Sequence, residues 1–293
     1  MVFQRCDGCE RRRSYLDRGE RYDCRTEKFC EIADIRLSEL ASIEVGRPLT
    51  LEEHKRLAAA MRDGHQRAIR ELGKLTMPDS GEDFVELVLK LHHFIFAETK
   101  LSFAGRLRQA HEPGVSYGYG KHRRDGVDAG RIEPGLHKLF DNVFANLPYE
   151  ALDRRRLARV CARFLEEFFS IHPFHDGNGR VARLVLRLVA LRTNGFFFDR
   201  FPDHNEPRKK YERALEFAHA QVSKREYSHL NGRDPYGLLA DWVESYLRQR
   251  PATQELWEEI WEPTEEPSWA GNGPIPSDAP PYGSTPPGHD DPD

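Results

Sequence analysis

Apolar residues recur at helical spacing through most of the chain, and the elements they predict follow one another with short polar gaps. Thr50 followed by Glu53 is a capping-box signature. It opens a helix running to about Leu72, with Leu57, Met61 and Ile69 on its apolar side. Phe84, Leu87, Val88, Leu91 and Ile95 form the next stripe, and Leu136, Leu139, Phe140, Val143, Phe144 and Leu147 another. Leu157, Val160, Cys161, Phe164, Leu165 and Phe168 alternate steps of three and one, as a single buried helix face requires. Cys161 therefore reads as core filler and not as a nucleophile. Val181, Leu184, Val185 and Leu188 continue a helix whose stop is expected at Asn194-Gly195. Tyr211, Leu215 and Ala218 mark one more. Asp234-Pro235 reads as an N-cap with a proline at the first helical position, leading into Leu238, Leu239, Trp242 and Tyr246.

Two kinds of segment break this rhythm. Residues 103–130 are poor in helical pattern and contain SYGYGKHRRDG, whose tyrosines, glycines and basic residues suit an exposed hairpin or flap. Beyond Trp261 the chain is rich in Pro, Gly and acids and lacks the apolar residues for a core, which predicts disorder. The expected organisation is an N-terminal arm over 1–48, a helical body over 49–250, and a short helix followed by an acidic tail over 251–293.

Composition adds constraints to this picture. The 293 residues are 39% hydrophobic and 31% charged, the balance of a water-soluble globular chain, and no apolar run reaches bilayer-spanning length. No membrane partner is expected. The opening MVFQRCDGCERRR has no apolar segment of the secretory type, so a cytoplasmic location is the expectation. The formal charge of −4 includes seven acids between Glu262 and Asp293 with no Lys or Arg; without them the remainder stands at +3. That suits an anionic nucleotide and is too weak to argue for a nucleic-acid groove. Four of the five cysteines, Cys6, Cys9, Cys24 and Cys30, crowd the first thirty residues. Their spacing can close tetrahedrally on a structural Zn2+, although the second pair is wider than usual. Four free thiols in a reducing compartment is the alternative.

The chemistry concentrates in HPFHDGNGR, residues 172–180, between two strong helical patterns. Gly177 and Gly179 tolerate backbone angles that other residues resist. With Asn178 between them and Arg180 starting the next helix, successive N–H groups can form an anion-binding nest at a helix N-terminus. Arg183 lies one turn beyond Arg180, so the pair can clamp phosphate oxygens. Asp176 beside a polyphosphate is a natural Mg2+ ligand. His172 ends the preceding helix with a pKa suited to taking a proton from an attacking hydroxyl. Pro173 stiffens the turn and Phe174 packs inward, while His175 is expected as a pocket wall or a solvated side chain. Two rival readings compete with the phosphate cradle. An HD-type metal site would combine His172, His175 and Asp176 with His92 or His93, but leaves GNGR unexplained. A merely polar loop would not need nine residues with complementary roles.

HPFHDGNGRVAR, residues 172–183, resembles the Fic-domain signature H-P-F-x-[DE]-G-N-G-R-x-x-R over its full length. LHHFIF (91–96) with FAGRLR (103–108) is similar to the family's helix leading into its flap, and RKKYERAL (208–215) to the segment after its second core helix. The resemblance spans roughly residues 51–250. It implies an all-α fold with a small β-hairpin flap, and transfer of AMP from ATP to a hydroxyl of a target protein with release of pyrophosphate. By position, His172 would be the base and Asp176 the Mg2+ ligand. Gly177, Asn178 and Gly179 would line the anion hole, and Arg180 and Arg183 would contact the β- and γ-phosphates. The flap, with Gly105 and residues 117–120 nearby, would pair with the target backbone as an added strand. Many members carry an inhibitory [ST]-x-x-x-E-[GN] helix whose Glu pairs with the second motif arginine. Here LSELASIEVG offers Glu44 in an imperfect register; otherwise the chain is either uninhibited in cis or restrained by an antitoxin-like partner. A different nucleotide donor, removal of AMP, and a non-catalytic nucleotide-binding module with a zinc-held N-terminal element are the alternative functions.

Overall fold

The computed structural model describes residues 35–110, 116–117, 124–193, 195–198, 205–223 and 234–249. The four N-terminal cysteines, Asn194 and the expected tail lie outside these residues. The chain divides into two compact units, Met1–Glu262 and Pro263–Asp293, and every described residue belongs to the first.

Eight helices are described: α1 Ile35–Val45, α2 Leu51–Leu72, α3 Gly81–Phe96, α4 Ile132–Val143, α5 Arg154–Ile171, α6 Asn178–Arg192, α7 Asn205–Ser223 and α8 Gly237–Tyr246. Two short antiparallel pairs accompany them. β1 (Ser116–Tyr117) pairs β2 (Arg124–Asp125), and β3 (Phe196–Phe198) pairs β4 (Leu247–Gln249). The expected helical fold with a hairpin is thus what the chain adopts. Among the described residues no helix is long and apolar enough to cross a membrane.

Local chemistry sets the helix starts. The Thr50 hydroxyl accepts from the Glu53 amide at 3.3 Å, while the Glu53 carboxylate accepts from the Thr50 amide at 2.8 Å, closing the capping box. Arg47 adds a two-pronged ion pair to Glu53 at 2.7 and 2.9 Å, which holds that carboxyl well below the usual range. Ser80 and Asp153 cap α3 and α5 by accepting from amides three residues on.

The apolar stripes then fix the packing. Helix α2 lies on α3, α3 on α4, α4 on α5 and α5 on α8, while α6 touches α2, α3 and α5. Phe84 (α3), Phe144 (the residue capping α4) and Phe164 (α5) meet with ring centres 5.5 to 6.4 Å apart. Helix α6 is apolar on nearly every side, with Val181, Leu184, Val185, Leu186, Leu188 and Val189 fully buried. A helix of that kind must sit in the middle of a body. Its remaining face carries Arg180, Arg183 and Arg187, all partly exposed. Cys161 is buried as expected, and burial pushes its thiol pKa up.

Several boundaries differ from the sequence expectation. Helix α1 falls within the expected N-terminal arm and buries Leu37 and Ala41. Helix α6 begins at Asn178, two residues before Arg180, and ends at Arg192, where the Thr193 hydroxyl and amide both donate to the Ala190 carbonyl. Asp234-Pro235 forms the turn before α8 instead of its cap: Asp234 accepts from the Tyr236 amide at 3.0 Å, and the helix starts at Gly237. Leu238 consequently faces outward, 53% exposed. The β3–β4 pair was not expected, because three-residue strands carry no period that separates them from helix ends.

Candidate active site

Helix α5 delivers His172 at its C-terminus, in the left-handed region at φ 51° and ψ 63°, with its amide still donating to the Phe168 carbonyl at 2.9 Å. A non-glycine residue rarely adopts that backbone. The turn is held from outside by Arg108, a buried guanidinium from the segment before the hairpin. Its Nε donates to the His172 carbonyl at 2.8 Å and its Nη2 to the carbonyls of Val127 (2.9 Å) and Ile171 (3.4 Å). The Arg108 amide also donates to the Pro173 carbonyl at 3.0 Å. Helices leave such C-terminal carbonyls unpaired, and a cation there suits the helix dipole.

The loop from Pro173 to Gly177 is pinned from within. The Phe174 amide donates to Asn178 Oδ1 at 3.0 Å, and Asn178 Nδ2 donates to the Phe174 carbonyl at 2.7 Å. The Asn178 side chain is therefore a clasp for the loop, so only its backbone is available to an anion hole. Gly177 caps α6 at φ +81°, and a Cβ there would collide with the Phe96 ring and approach His92 Cδ2 at 3.3 Å. Gly179 corrects the expectation for the second glycine: its φ is not positive and it sits within α6. A Cβ on Gly179 would lie 3.3 Å from Arg183 Nη1, so the bare position leaves room for that guanidinium to fold back towards the helix start. The first amide used inside α6 is that of Val181, on the Gly177 carbonyl at 2.9 Å. The amides of residues 178–180 are those a helix leaves directed off its N-terminus.

Charge gathers at this end. Asp176 is buried, 7% exposed, with Oδ2 3.3 Å from Arg180 Nη1. The Arg180 guanidinium also lies 5.6 Å from the centre of the Phe96 ring. His65, from α2, feels the same stripe: burial, then the charges of Arg183, Arg180 and Arg187, push its pKa down to about 3. His175 is buried, 7% exposed, which corrects the solvated alternative.

His92 is fully buried, and its ring stacks on Phe174 at 4.0 Å and 10°. Its Nδ1 accepts from the Gly105 amide at 2.9 Å and its Nε2 donates to the Asp176 carbonyl at 3.2 Å. Burial pushes its pKa down to about 3, against the opposing pull of the Asp176 carbonyl. With both nitrogens engaged by backbone atoms, His92 is not available to join His172, His175 and Asp176 around a metal. Among the described residues no group of three or more His, Cys, Asp or Glu side chains could hold a metal ion. The buried Asp176 carboxylate is, however, a single oxygen ligand of the kind that suits Mg2+ carried in with phosphate oxygens, while the arginines can only meet the phosphates.

Glu44 is not placed on the motif arginines. Its carboxylate accepts from the Ser102 amide at 2.9 and 3.0 Å and from the Ser102 hydroxyl at 3.1 Å. On the hairpin side of Arg108, a groove of about 790 Å3 runs between the hairpin base and α4, lined by Arg106, Gln109, Glu133, His137, Lys138 and Asp141 among others. Arg108, His92 and His65 had no local signal for these contacts, because their partners lie dozens of residues away in sequence.

Residues 83–190 match the model of the Fic/DOC family. The fold is similar to that of the N-terminal FIC domain of Bep8, a VirB-translocated effector protein of Bartonella sp. 1-1C. That domain is 19% identical with a TM-score of 0.50, over 66% of this chain and 85% of that one. It is equally similar to the N-terminal Fic domain of a Bep effector of Bartonella sp. AR 15-3, 17% identical with a TM-score of 0.50, over 67% and 83% of the two chains. A 61-residue stretch, 19% of this chain, is 39% identical to the ribonucleoside-diphosphate reductase small chain of Ostreid herpesvirus 1 (isolate France) and spans 10% of that relative. The stretch that matches the Fic/DOC model runs from α3 to α6.

Proposed function

We propose that the protein is an adenylyltransferase that moves AMP from ATP to a Ser, Thr or Tyr hydroxyl of a target protein. The observation that carries this reading is the convergence of two helix ends. The C-terminus of α5 presents His172, and a few residues later the start of α6 presents the amides of its first turn together with Asp176, Arg180 and Arg183. In this reading the amides of residues 178–180 and the two arginines hold the β- and γ-phosphates. His172 takes the proton of the target hydroxyl, whose oxygen bonds to the α-phosphorus as the bond to the β-phosphate oxygen breaks and pyrophosphate leaves. Asp176 would hold Mg2+, which when bound neutralises phosphate charge. Positioning and charge neutralisation supply most of the rate in such transfers. The β1–β2 hairpin receives the target as an added strand and sets its hydroxyl opposite His172. With Glu44 engaged by Ser102, the enzyme is either unrestrained in cis or held by a separate antitoxin-like partner.

Purified protein incubated with Mg2+, in cell lysate, with α-labelled or γ-labelled ATP in parallel tests this. Label transferred from the α position alone, and lost in His172→Ala, is the expected outcome. Label from the γ position would make the protein a kinase-like member and overturn the mechanism; label from neither donor would favour a nucleotide-binding module.

A further inference from the structure

Two loops separated by some seventy residues press on the same face of α3. The segment that precedes the hairpin in sequence arrives at Gly105, with φ +71°, where a Cβ would lie 2.9 Å from His93 Cβ. The motif loop arrives at Gly177, with φ +81°, where a Cβ would meet Phe96 and His92. His92 stands between them. One nitrogen accepts from the Gly105 amide, the other donates to the Asp176 carbonyl, and the ring lies flat on Phe174. A buried imidazole with two backbone partners fixes both segments relative to each other, since losing either bond strands a buried polar group.

We propose that His92 is a positioning residue that locks the Gly105 segment, which three residues on holds Val127 behind β2 through Arg108, to the motif loop, so that the target's added strand and the phosphate-binding end of α6 keep a fixed relation. The lock itself follows from the geometry; its consequence for catalysis rests on the adenylyl-transfer reading. The position constrains both bonds through one ring, so conservative replacements should separate them. Asn at 92 can present an oxygen near the place of Nδ1 and retain the bond from Gly105. Gln can reach the place of Nε2 and retain the bond to Asp176. Phe keeps the ring and its stacking and loses both bonds.

The test compares the full chain with His92→Phe, His92→Asn and His92→Gln by residue-resolved amide exchange, alongside the affinity for a non-hydrolysable ATP analogue with Mg2+. For His92→Phe, exchange about tenfold faster at Gly105 and across 174–178, with analogue affinity about tenfold weaker, is expected. His92→Asn should restore protection at Gly105 only, and His92→Gln at 174–178 only. Exchange in both segments within twofold of wild type in His92→Phe would overturn the proposal. So would equal, unsplit loss in the Asn and Gln variants, which decide the matter should the Phe variant fail to fold. A wild-type chain that binds no analogue would sink the adenylyl-transfer reading, while the exchange result still decides this one.

Discussion

Nε of Arg108 and the carbonyl oxygen of His172 lie 2.8 Å apart, so a buried guanidinium from the hairpin segment holds the backbone of the proposed base. The fork reaches three carbonyls in all, and a lysine ammonium at the end of a flexible stem cannot copy that arrangement. Arg108→Lys is expected to lower stability by about 2 kcal/mol. It should reduce kcat by about tenfold with KM for ATP nearly unchanged, because the base shifts and the anion site does not. Urea unfolding and steady-state transfer kinetics check the two parts.

The two glycines of the motif should respond oppositely to alanine. Gly177→Ala adds a Cβ at a positive φ and into the buried Phe96 ring, and is expected to cost about 2 kcal/mol or more. Gly179→Ala places a better helix former within α6 and is expected to be neutral or to stabilise by about 0.5 kcal/mol. Its Cβ meets only Arg183, so nucleotide affinity should fall while the fold holds. Thermal unfolding and nucleotide titration of the two variants separate these effects.

Replacing His172 should uncouple activity from stability. Both His172→Ala and His172→Gly are expected to lower transfer by about 100-fold to 10,000-fold, the usual worth of a general base. The left-handed backbone at φ 51° favours glycine, so the Gly variant should be more stable than the Ala variant by about 1 kcal/mol. Equal melting temperatures for the two would contradict the left-handed cap.

Acid should destabilise the body before its carboxylates titrate. His65 and His92 are held at about 3 in the folded chain, below the ordinary value of 6.5. Between those values the unfolded chain binds protons that the folded chain refuses. Their contribution is therefore complete above pH 6.5 and is lost as the pH falls towards 3, by about 1.4 kcal/mol per pH unit for each. The depressed Glu53 carboxyl adds in the same direction below its ordinary 4.5. Urea midpoints measured from pH 7.5 to 4 should fall with acid, and His92→Phe should remove one proton's worth of the slope.

What could be read along the chain was whatever the chemistry wrote locally. Thr50 and Glu53 are three residues apart and cap as their spacing demands, and the stripes through Phe84, Phe140 and Phe164 point to the faces that meet. The motif from His172 to Arg183 is likewise contiguous, so its helix–turn–helix setting could be anticipated. Arg108 and His92 were harder: an arginine near a glycine and a histidine in a helix carry no mark of partners 64 and 84 residues away. The Asn178 side-chain clasp on Phe174 and the helical backbone of Gly179 were not legible either, because residue type alone does not say which way a side chain turns or which glycine takes a positive φ. Asp234 was misplaced for a similar reason, since an Asp-Pro pair suits a turn as well as a helix start.

The pairing of Phe196–Phe198 with Leu247–Gln249 has a consequence for how the molecule is made. Phe198 and Leu247 are both buried, and β3 emerges directly behind α6, the helix at the centre of the body. A growing chain synthesised from its N-terminus would carry α6 and β3 into the open long before β4 exists. Until Gln249 has left the ribosome, the three phenylalanines have no strand to pair with, and α5 lacks the cover that α8 later provides. The body thus closes late in synthesis, and the interval between Phe198 and Leu247 is when a nascent chain has most reason to recruit a chaperone.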